Sequence, residues 1–311
     1  MSGDDIVQKL LESIGITPGH PLPVNTARLQ VHGNRVVGAH LVPGLLVDVD
    51  ERPDGIAADI TVKEGVQIER PVHICFGLLP ERGAQHIEMH IDIQEGAQAS
   101  VLAHCTFPNA VEIEHRMDAS ITVGAGASYS YFERHVHGSS GGVHVVPKAQ
   151  VTLHEGARFK TEFELIKGRV GAIDIDYETE CRAHSVLEMI ARIGGRGDDA
   201  ITIRETGRLV GAHARAVLNS HIALRDTSHA EVYNTLIASA PHARGHVDCK
   251  EVVQGQALAK AVPIVEVNDP TAHVTHEAAI GSVDAKQLET LMSRGLGEDD
   301  AVDLIIEGLL S

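Results

Sequence analysis

The stretch that decides the fold is Ile87-Glu-Met89-His-Ile91-Asp-Ile93, which is followed by the corner Glu95-Gly96-Ala97. Apolar and polar residues alternate in it, as in a β-strand with one buried face, and the glycine suits a tight corner. The same pattern recurs at 117–123 and 149–153, and the corner glycines lie at 65, 96, 126 and 156, which is a spacing of 31, 30 and 30 residues. An even, strand-only repeat of this length predicts a mainly β solenoid of stacked coils.

An antiparallel β-sandwich would also show alternating strands, and it is the structural alternative, although it does not require an even repeat. The regular spacing weakens after about residue 170, but short β-rich runs continue at 230–237, 247–253 and 264–267. We therefore assign residues 26–268 to the β-helix core.

Amphipathic helices are predicted at both ends of this core. Residues 1–25 are expected to form a short helix and a linker, with the helix ending at Gly15 and its apolar residues at helical spacing: Ile6, Val7, Leu10 and Leu11. Residues 269–311 are expected to be a helical region that caps the open end of the solenoid. In that region Asp284 is the predicted N-cap of one helix, Gly295 is its stop, and a second helix starts near Glu298.

Composition excludes several classes of function. The 311-residue chain has a net charge of −17, which disfavours binding to nucleic acid. Neither a signal-like N-terminal segment nor an apolar run long enough to cross a membrane is recognised, so we expect a cytoplasmic protein that does not bind membranes. The four cysteines, at 75, 105, 181 and 249, show no close pairing, and we expect free thiols.

One group of residues suggests metal chemistry. His246-Val-Asp248-Cys249 lies on a predicted strand, and Thr275-His276-Glu277-Ala278 lies near the junction with the C-terminal region. Thiolate, imidazole and carboxylate together can bind iron, and thiolate is the preferred ligand of iron–sulfur clusters. Nucleotide-binding and hydrolase motifs are not found, so no catalytic residues are assigned and we do not expect an enzyme.

The C-terminal part of the chain resembles the SufB/SufD family, the scaffold subunits of the SUF iron–sulfur cluster assembly system. The matching stretches are Ala243-Arg-Gly-His-Val-Asp-Cys249, Ala261-Val-Pro-Ile-Val-Glu-Val-Asn268, Ala272-His-Val-Thr-His-Glu-Ala-Ala-Ile-Gly281, and the two helices within Asp284–Gly308. The resemblance is strong over about the last 70 residues. It implies that the solenoid is a right-handed parallel β-helix.

The resemblance also implies roles for individual residues. Cys249, His276 and Glu277 correspond to the family's metal-binding positions, where a transient cluster is assembled at a subunit interface. Cys105, in His104-Cys-Thr-Phe-Pro108, corresponds to the thiol that accepts sulfur from a donor such as a cysteine desulfurase. The C-terminal helices correspond to the region that binds the ATPase subunit SufC.

Two departures from the family pattern bear on the assembly. Thr275 replaces the first Glu of the family's EHEA motif, and Ala257-Leu-Ala-Lys260 replaces a Cys-containing stretch. With fewer ligands in each chain, a homodimer that pairs two copies of Cys249 is predicted, and a SufB–SufD-type heterodimer is the other arrangement.

Two other functions remain open. One is a SufD-like structural partner that binds no cluster itself. The other is a β-helix enzyme acting on polysaccharide, which is disfavoured because the chain lacks Trp and has only 3% aromatic residues for stacking on sugars. Cys75 and Cys181 are predicted to be buried structural thiols, and Tyr129 and Tyr131 to be solenoid residues.

Overall fold

The computed structural model describes residues 3–13, 25–169 and 171–310. In these residues three helices and nineteen strands form: α1 (Gly3–Ser13), β1 (Arg28–His32), β2 (Arg35–His40), β3 (Leu45–Arg52), β4 (Gly55–Val62), β5 (Val72–Gly77), β6 (Arg82–Ile93), β7 (Gln98–Phe107), β8 (Glu112–Val123), β9 (Ser128–His137), β10 (Val143–Leu153), β11 (Arg158–Lys167), β12 (Gly171–Cys181), β13 (Val186–Gly195), β14 (Ala200–Leu209), β15 (Arg215–Leu224), β16 (His229–Ala238), β17 (Arg244–Val253), β18 (Leu258–Val267), β19 (His273–Gly281), α2 (Ala285–Met292) and α3 (Glu298–Leu310). The predicted end of the first helix, Gly15, and the linker at 14–24 lie outside the described residues.

The strands form two parallel sheets that the chain visits in turn. The odd-numbered strands from β5 onward extend sheet 1, which starts with the hairpin β1–β2. The even-numbered strands from β4 onward extend sheet 2, which starts with the hairpin β3–β4. Each coil therefore places one strand in each sheet, and the coils stack into a β-solenoid of about eight turns, which confirms the predicted architecture.

The corners between strands explain why the glycine repeat stops while the solenoid continues. Gly65, Gly96, Gly126 and Gly156 have φ between 64° and 68°, which is the left-handed conformation that glycine adopts without a steric penalty. In the next three coils the equivalent residue is a histidine with φ of 58° to 61°: His184, His213 and His242. Their rings stack at 5.0 and 4.9 Å between centroids, and their spacing of 29 residues (184 to 213 and 213 to 242) continues the coil.

The interior between the sheets is filled mainly by aliphatic side chains in one continuous core. Tyr129 and Tyr131 belong to the solenoid, as predicted, and they lie in this core, as do the buried free thiols of Cys75 and Cys181. Because alternate residues of a strand point to the same side, and paired residues of parallel strands share a face, the interior positions form continuous columns along the solenoid. Polar residues in these columns are therefore exceptions to the general pattern.

The last coil is left open at its end. Strand β19 belongs to this coil, so the solenoid extends to Gly281 and the helices begin at Ala285. Asp284 is the N-cap of α2, as predicted, because its carboxylate accepts a 2.7 Å hydrogen bond from the backbone N–H of Gln287. Helix α3 packs outside sheet 1 through Val302, Ile306 and Leu310.

The helices differ in how much of their apolar surface they bury. No residue of α2 is buried, and Leu304 of α3 is 47% exposed. Within the described ranges, no helix combines the length and hydropathy needed to cross a membrane.

Candidate functional site

Cys249 lies in a polar pocket in the interior of the solenoid. It is on β17, the second-last strand of sheet 1. Its side chain is fully buried, and Sγ lies 3.9 Å from Oγ of Ser220 on the neighbouring strand β15. Asn234 reaches across from sheet 2 and places Nδ2 3.8 Å from Sγ of Cys249. Burial raises the pKa of Cys249 to about 11, and the nearby carboxylate of Glu251 acts in the same direction. The thiol is therefore protonated at neutral pH until a metal or a change of conformation favours the thiolate.

Two buried carboxyl groups accompany this thiol. Glu251 is two residues from Cys249 on β17 and so shares its interior face, while Glu205 lies on β14 in sheet 2. Both oxygens of Glu251, and Oε2 of Glu205, have no hydrogen-bond partner. Desolvation raises the pKa of Glu205 to about 8 and that of Glu251 to about 7. Both groups can act as oxygen ligands near Cys249 once deprotonated, and Glu251, whose pKa lies near neutrality, can also accept a proton there.

His276 and Glu277 lie on the edge strand β19 and point to opposite faces. His276 pairs with Val247, Glu277 with Asp248, and Ala278 with Cys249. His276 therefore shares the interior face of Cys249, with Cα atoms about 8 Å apart for a two-residue diagonal between neighbouring strands. Glu277 lies on the outer face, where it interacts electrostatically with Lys250. Within one chain the structure brings His276 toward the thiol and directs Glu277 away from it.

A second group of chemically active side chains surrounds Cys105, deep inside the solenoid. Cys105 on β7, His115 on β8, and Glu133 and His135 on β9 each offer one ligand atom, and these four atoms lie within 4.8 Å of one another. The Cys105 thiol donates to Oε1 of Glu133 at 3.5 Å, and Nε2 of His135 lies 2.7 Å from the same oxygen. All four side chains are buried.

Burial disfavours the charged forms of the members of this group. Desolvation lowers the pKa of His115 and of His135 to about 3, and it raises the pKa of Cys105 and of Glu133. The group nevertheless retains unused ligand atoms, because both ring nitrogens of His115 and Oε2 of Glu133 have no hydrogen-bond partner. Such orphaned polar atoms are rare in a folded interior and call for an explanation.

Comparison with known proteins identifies the family. Residues 78–309 match the model of the SUF system FeS cluster assembly SufBD core domain, which is well over half of the chain. The chain belongs to the SufBD core family. It is 35% identical to an iron–sulfur cluster assembly SufBD family protein of Methanocaldococcus jannaschii over 100% of this chain and 99% of that protein. It is 34% identical to one from Pyrococcus horikoshii, over 91% of this chain and 86% of that protein.

The SufBD core domain contains both groups of residues, and sequence reasoning found only part of each. The SufBD resemblance indicated Cys105 and Cys249, but it gave no role to His115, Glu133 or His135. The missed signal is the strand period, because Glu133 and His135 continue the alternation of Tyr129 and Tyr131 and therefore face inward. The same rule places Glu251 beside Cys249.

Proposed function

We propose that this SufBD family protein is the scaffold subunit, of the SufB type, on which an iron–sulfur cluster is transiently assembled at Cys249. The observation that carries the proposal is the arrangement of Cys249 and His276 on adjacent strands at the open end of the solenoid, with the carboxyl group of Glu251 on the same interior face. Thiolate, imidazole and carboxylate form a suitable ligand set for iron.

Binding of the cluster changes the protonation of this pocket. Cys249 is a buried thiol in the isolated chain, so iron binding must displace its proton, and Glu251, whose pKa of about 7 leaves it partly ionised at neutral pH, can accept it. Glu277, which the family resemblance assigned to the site, faces outward in one chain. In this proposal it becomes a ligand only when two chains meet.

The second chain is proposed to dock on the open end of the solenoid. Strands β18 and β19 end their sheets and leave their outer backbone edges unpaired in the described residues. Large apolar side chains are exposed here, and Leu258 is 71% exposed; the others are Ile264, Val267 and Ile280. Exposed apolar edge strands usually mark an interface, and a twofold contact would bring two copies of Cys249 together. A SufD-type partner on the same surface is the alternative.

Sulfur is proposed to enter at Cys105 and to reach Cys249 through the solenoid interior. Five strand spacings separate β7 from β17 in sheet 1, which is about 24 Å. Buried polar side chains lie between the two thiols, namely Tyr131, Tyr177, Glu205 and Asn234. Cys105 itself is fully buried, so acceptance of sulfur from a desulfurase requires the coil to open.

The C-terminal helices are proposed to bind a SufC-type ATPase, which would supply ATP hydrolysis. A groove between these helices and the end of sheet 1 is lined by apolar side chains that include Leu291, Leu304 and Leu309. Helix α2 buries none of its residues, so its apolar face remains available for a partner. Closure of the ATPase would then shift the two chains and expose the cluster site.

The test is anaerobic reconstitution with ferrous iron and sulfide in the presence of the ATPase partner. Wild type should develop the visible absorption of a cluster, with the iron and sulfide that belong to it, whereas Cys249→Ser should not. Cys181→Ser is the matched control, because Cys181 is an equally buried thiol outside the site, and it should behave like wild type. Equal cluster absorption in wild type and Cys249→Ser, or none in either, would identify the chain as a SufD-like structural subunit.

A further inference from the structure

We propose that Cys105, His115, Glu133 and His135 form a binding site for one divalent first-row transition-metal ion, zinc(II) or iron(II), separate from the cluster site. The donor set is one sulfur, two imidazole nitrogens and one carboxylate oxygen. Four-coordinate zinc sites use these ligand types, and two histidines with one carboxylate are also typical of iron(II) sites. The chemistry is therefore that of a single metal ion rather than of a cluster, which prefers thiolates.

The geometry supports this assignment. The four ligand atoms lie within 4.8 Å of one another, so side-chain shifts of the order of an ångström would bring all of them to metal–ligand distances of about 2.0 to 2.3 Å around a central ion. They come from three consecutive strands, β7, β8 and β9, which belong to two different sheets. The cluster therefore spans the interior and does not depend on one flexible loop.

The unused polar atoms provide an independent observation. His115 is 1% exposed, and neither of its ring nitrogens has a hydrogen-bond partner; Oε2 of Glu133 is also unpartnered. Burying such groups without partners is unfavourable, because they lose their hydrogen bonds to water. An ion bound among them would satisfy these atoms. It would also balance charge, because a doubly charged cation with one thiolate, one carboxylate and two neutral imidazoles has no net charge to bury.

Neighbouring rings hold the histidines in position. Nδ1 of His135 lies 3.1 Å from Nε2 of His137, while its Nε2 faces Glu133, so one nitrogen is fixed from outside and the other points into the cluster. This is the arrangement by which outer partners orient metal-binding imidazoles. The ring of Phe107 packs against His115 with centroids 4.8 Å apart.

The two thiols of the proposed function would then have different roles. Cys105 and Cys249 are about 24 Å apart, so an ion bound at Cys105 is too far from Cys249 to be part of the cluster site. Metal binding and sulfur acceptance would use the same thiolate of Cys105, and this competition rests on the proposed function, whereas the metal site itself does not. A chain that holds the ion is expected to accept no sulfur until the ion leaves.

The test measures the metal content of the full chain, purified anaerobically from cells grown with zinc, iron or cobalt added. Loading in the cell avoids the problem that the folded interior is closed. We expect about one metal ion per chain, whose identity distinguishes zinc from iron. Cobalt-loaded protein should show thiolate-to-metal absorption, which Cys105→Ala should abolish. Cys181→Ala and Cys249→Ser should retain the metal.

His115→Phe separates metal binding from folding. Phenylalanine keeps the ring packed against Phe107 and removes both unpartnered nitrogens, so the variant should fold with an unchanged or higher melting temperature in the presence of a chelator. It should nevertheless lose the metal, and metal should no longer raise its melting temperature. The proposed site would be wrong if wild-type protein contained no metal after growth in any of the media. It would also be wrong if folded His115→Phe kept its full metal content. Neither result depends on cluster formation at Cys249.

Discussion

The side-chain amide of Asn234 donates a 2.6 Å hydrogen bond to Oγ of Ser220 across the interior of the solenoid, from one sheet to the other. The same nitrogen lies 3.8 Å from Sγ of Cys249, so a single side chain positions both neighbours. Asn234 is completely buried, and the interaction belongs to the core.

Replacing Asn234 with alanine should destabilise the protein and impair cluster binding. The substitution removes a buried donor and leaves Ser220 without its partner, which should lower the free energy of unfolding by about 1 to 3 kcal/mol. Urea denaturation measures this change, and iron uptake tests the pocket. Asn268→Ala is the control, because Asn268 is exposed, and it should change stability little. Equal effects of the two substitutions would contradict a special role for Asn234.

Glu205 should make stability fall as pH rises. Its pKa is raised from 4.5 to about 8 by burial, so the folded state holds a proton that the unfolded state releases. The contribution of Glu205 to the stability of the fold is largest below its pKa in the unfolded chain. It is lost progressively as the pH rises to its pKa in the folded protein. Glu205→Gln should therefore gain stability over wild type as the pH is raised from about 5 to about 9.

Melting temperatures across this pH range measure the effect of Glu205→Gln. The exposed carboxylate of Glu155 provides the control, and Glu155→Gln should follow wild type. If the difference between Glu205→Gln and wild type stayed constant with pH, the carboxyl group would not be the titrating group.

A charge at the open end of the solenoid should prevent dimer formation. Ile264 on β18 is 44% exposed, and Ile264→Asp would place a carboxylate in the proposed apolar interface, where burial without a partner is unfavourable. Analytical ultracentrifugation should show a dimer for wild type and a monomer for this variant. Leu46→Asp adds the same charge at a similarly exposed position in the first coils and should leave the dimer intact. Dissociation by both variants would argue against this interface.

The exposed face of the C-terminal helices should determine binding of the ATPase. Leu304→Glu introduces a charge at a side chain that lines the groove, and it should weaken binding of a SufC-type subunit by at least about tenfold if that side chain is an anchor. Calorimetry with the purified ATPase measures the affinity. Val210→Glu, at a comparably exposed position on the solenoid, should bind as wild type does. Unchanged binding of Leu304→Glu would place the partner elsewhere.

The corner conformation should make Gly126→Ala destabilising by about 1 kcal/mol, because φ of +64° is unfavourable for a residue with a Cβ. No heavy atom lies within 4 Å of the added Cβ, so the loss of stability measures the cost of the backbone conformation and not of a steric clash. Gly308 offers the matched comparison in α3, since an added Cβ meets nothing within 4 Å there either. Gly308→Ala should instead stabilise the helix by about 0.5 to 1 kcal/mol. Thermal unfolding of both variants measures the two changes in stability. If both variants were destabilised, the added Cβ rather than the corner conformation would be the cause.

The sequence by itself determined the solenoid, its helices and the family. The two-residue alternation, the corner glycines at 65 to 156 and the N-cap at Asp284 are local signals, since each depends on the conformational preferences of a few neighbouring residues. The motif around Cys249 was likewise contained in a short contiguous stretch.

Only the tertiary structure decided which distant residues meet. Alternation places Glu133 and His135 on the interior face, but the register between strands about 30 residues apart determines that they meet Cys105 and His115. The left-handed corners at His184 and His213 were hidden because histidine, unlike glycine, is not by itself a signal of this conformation. Register also places His276 on the side of Cys249 and Glu277 on the outer face, because residues on successive positions of a strand point in opposite directions.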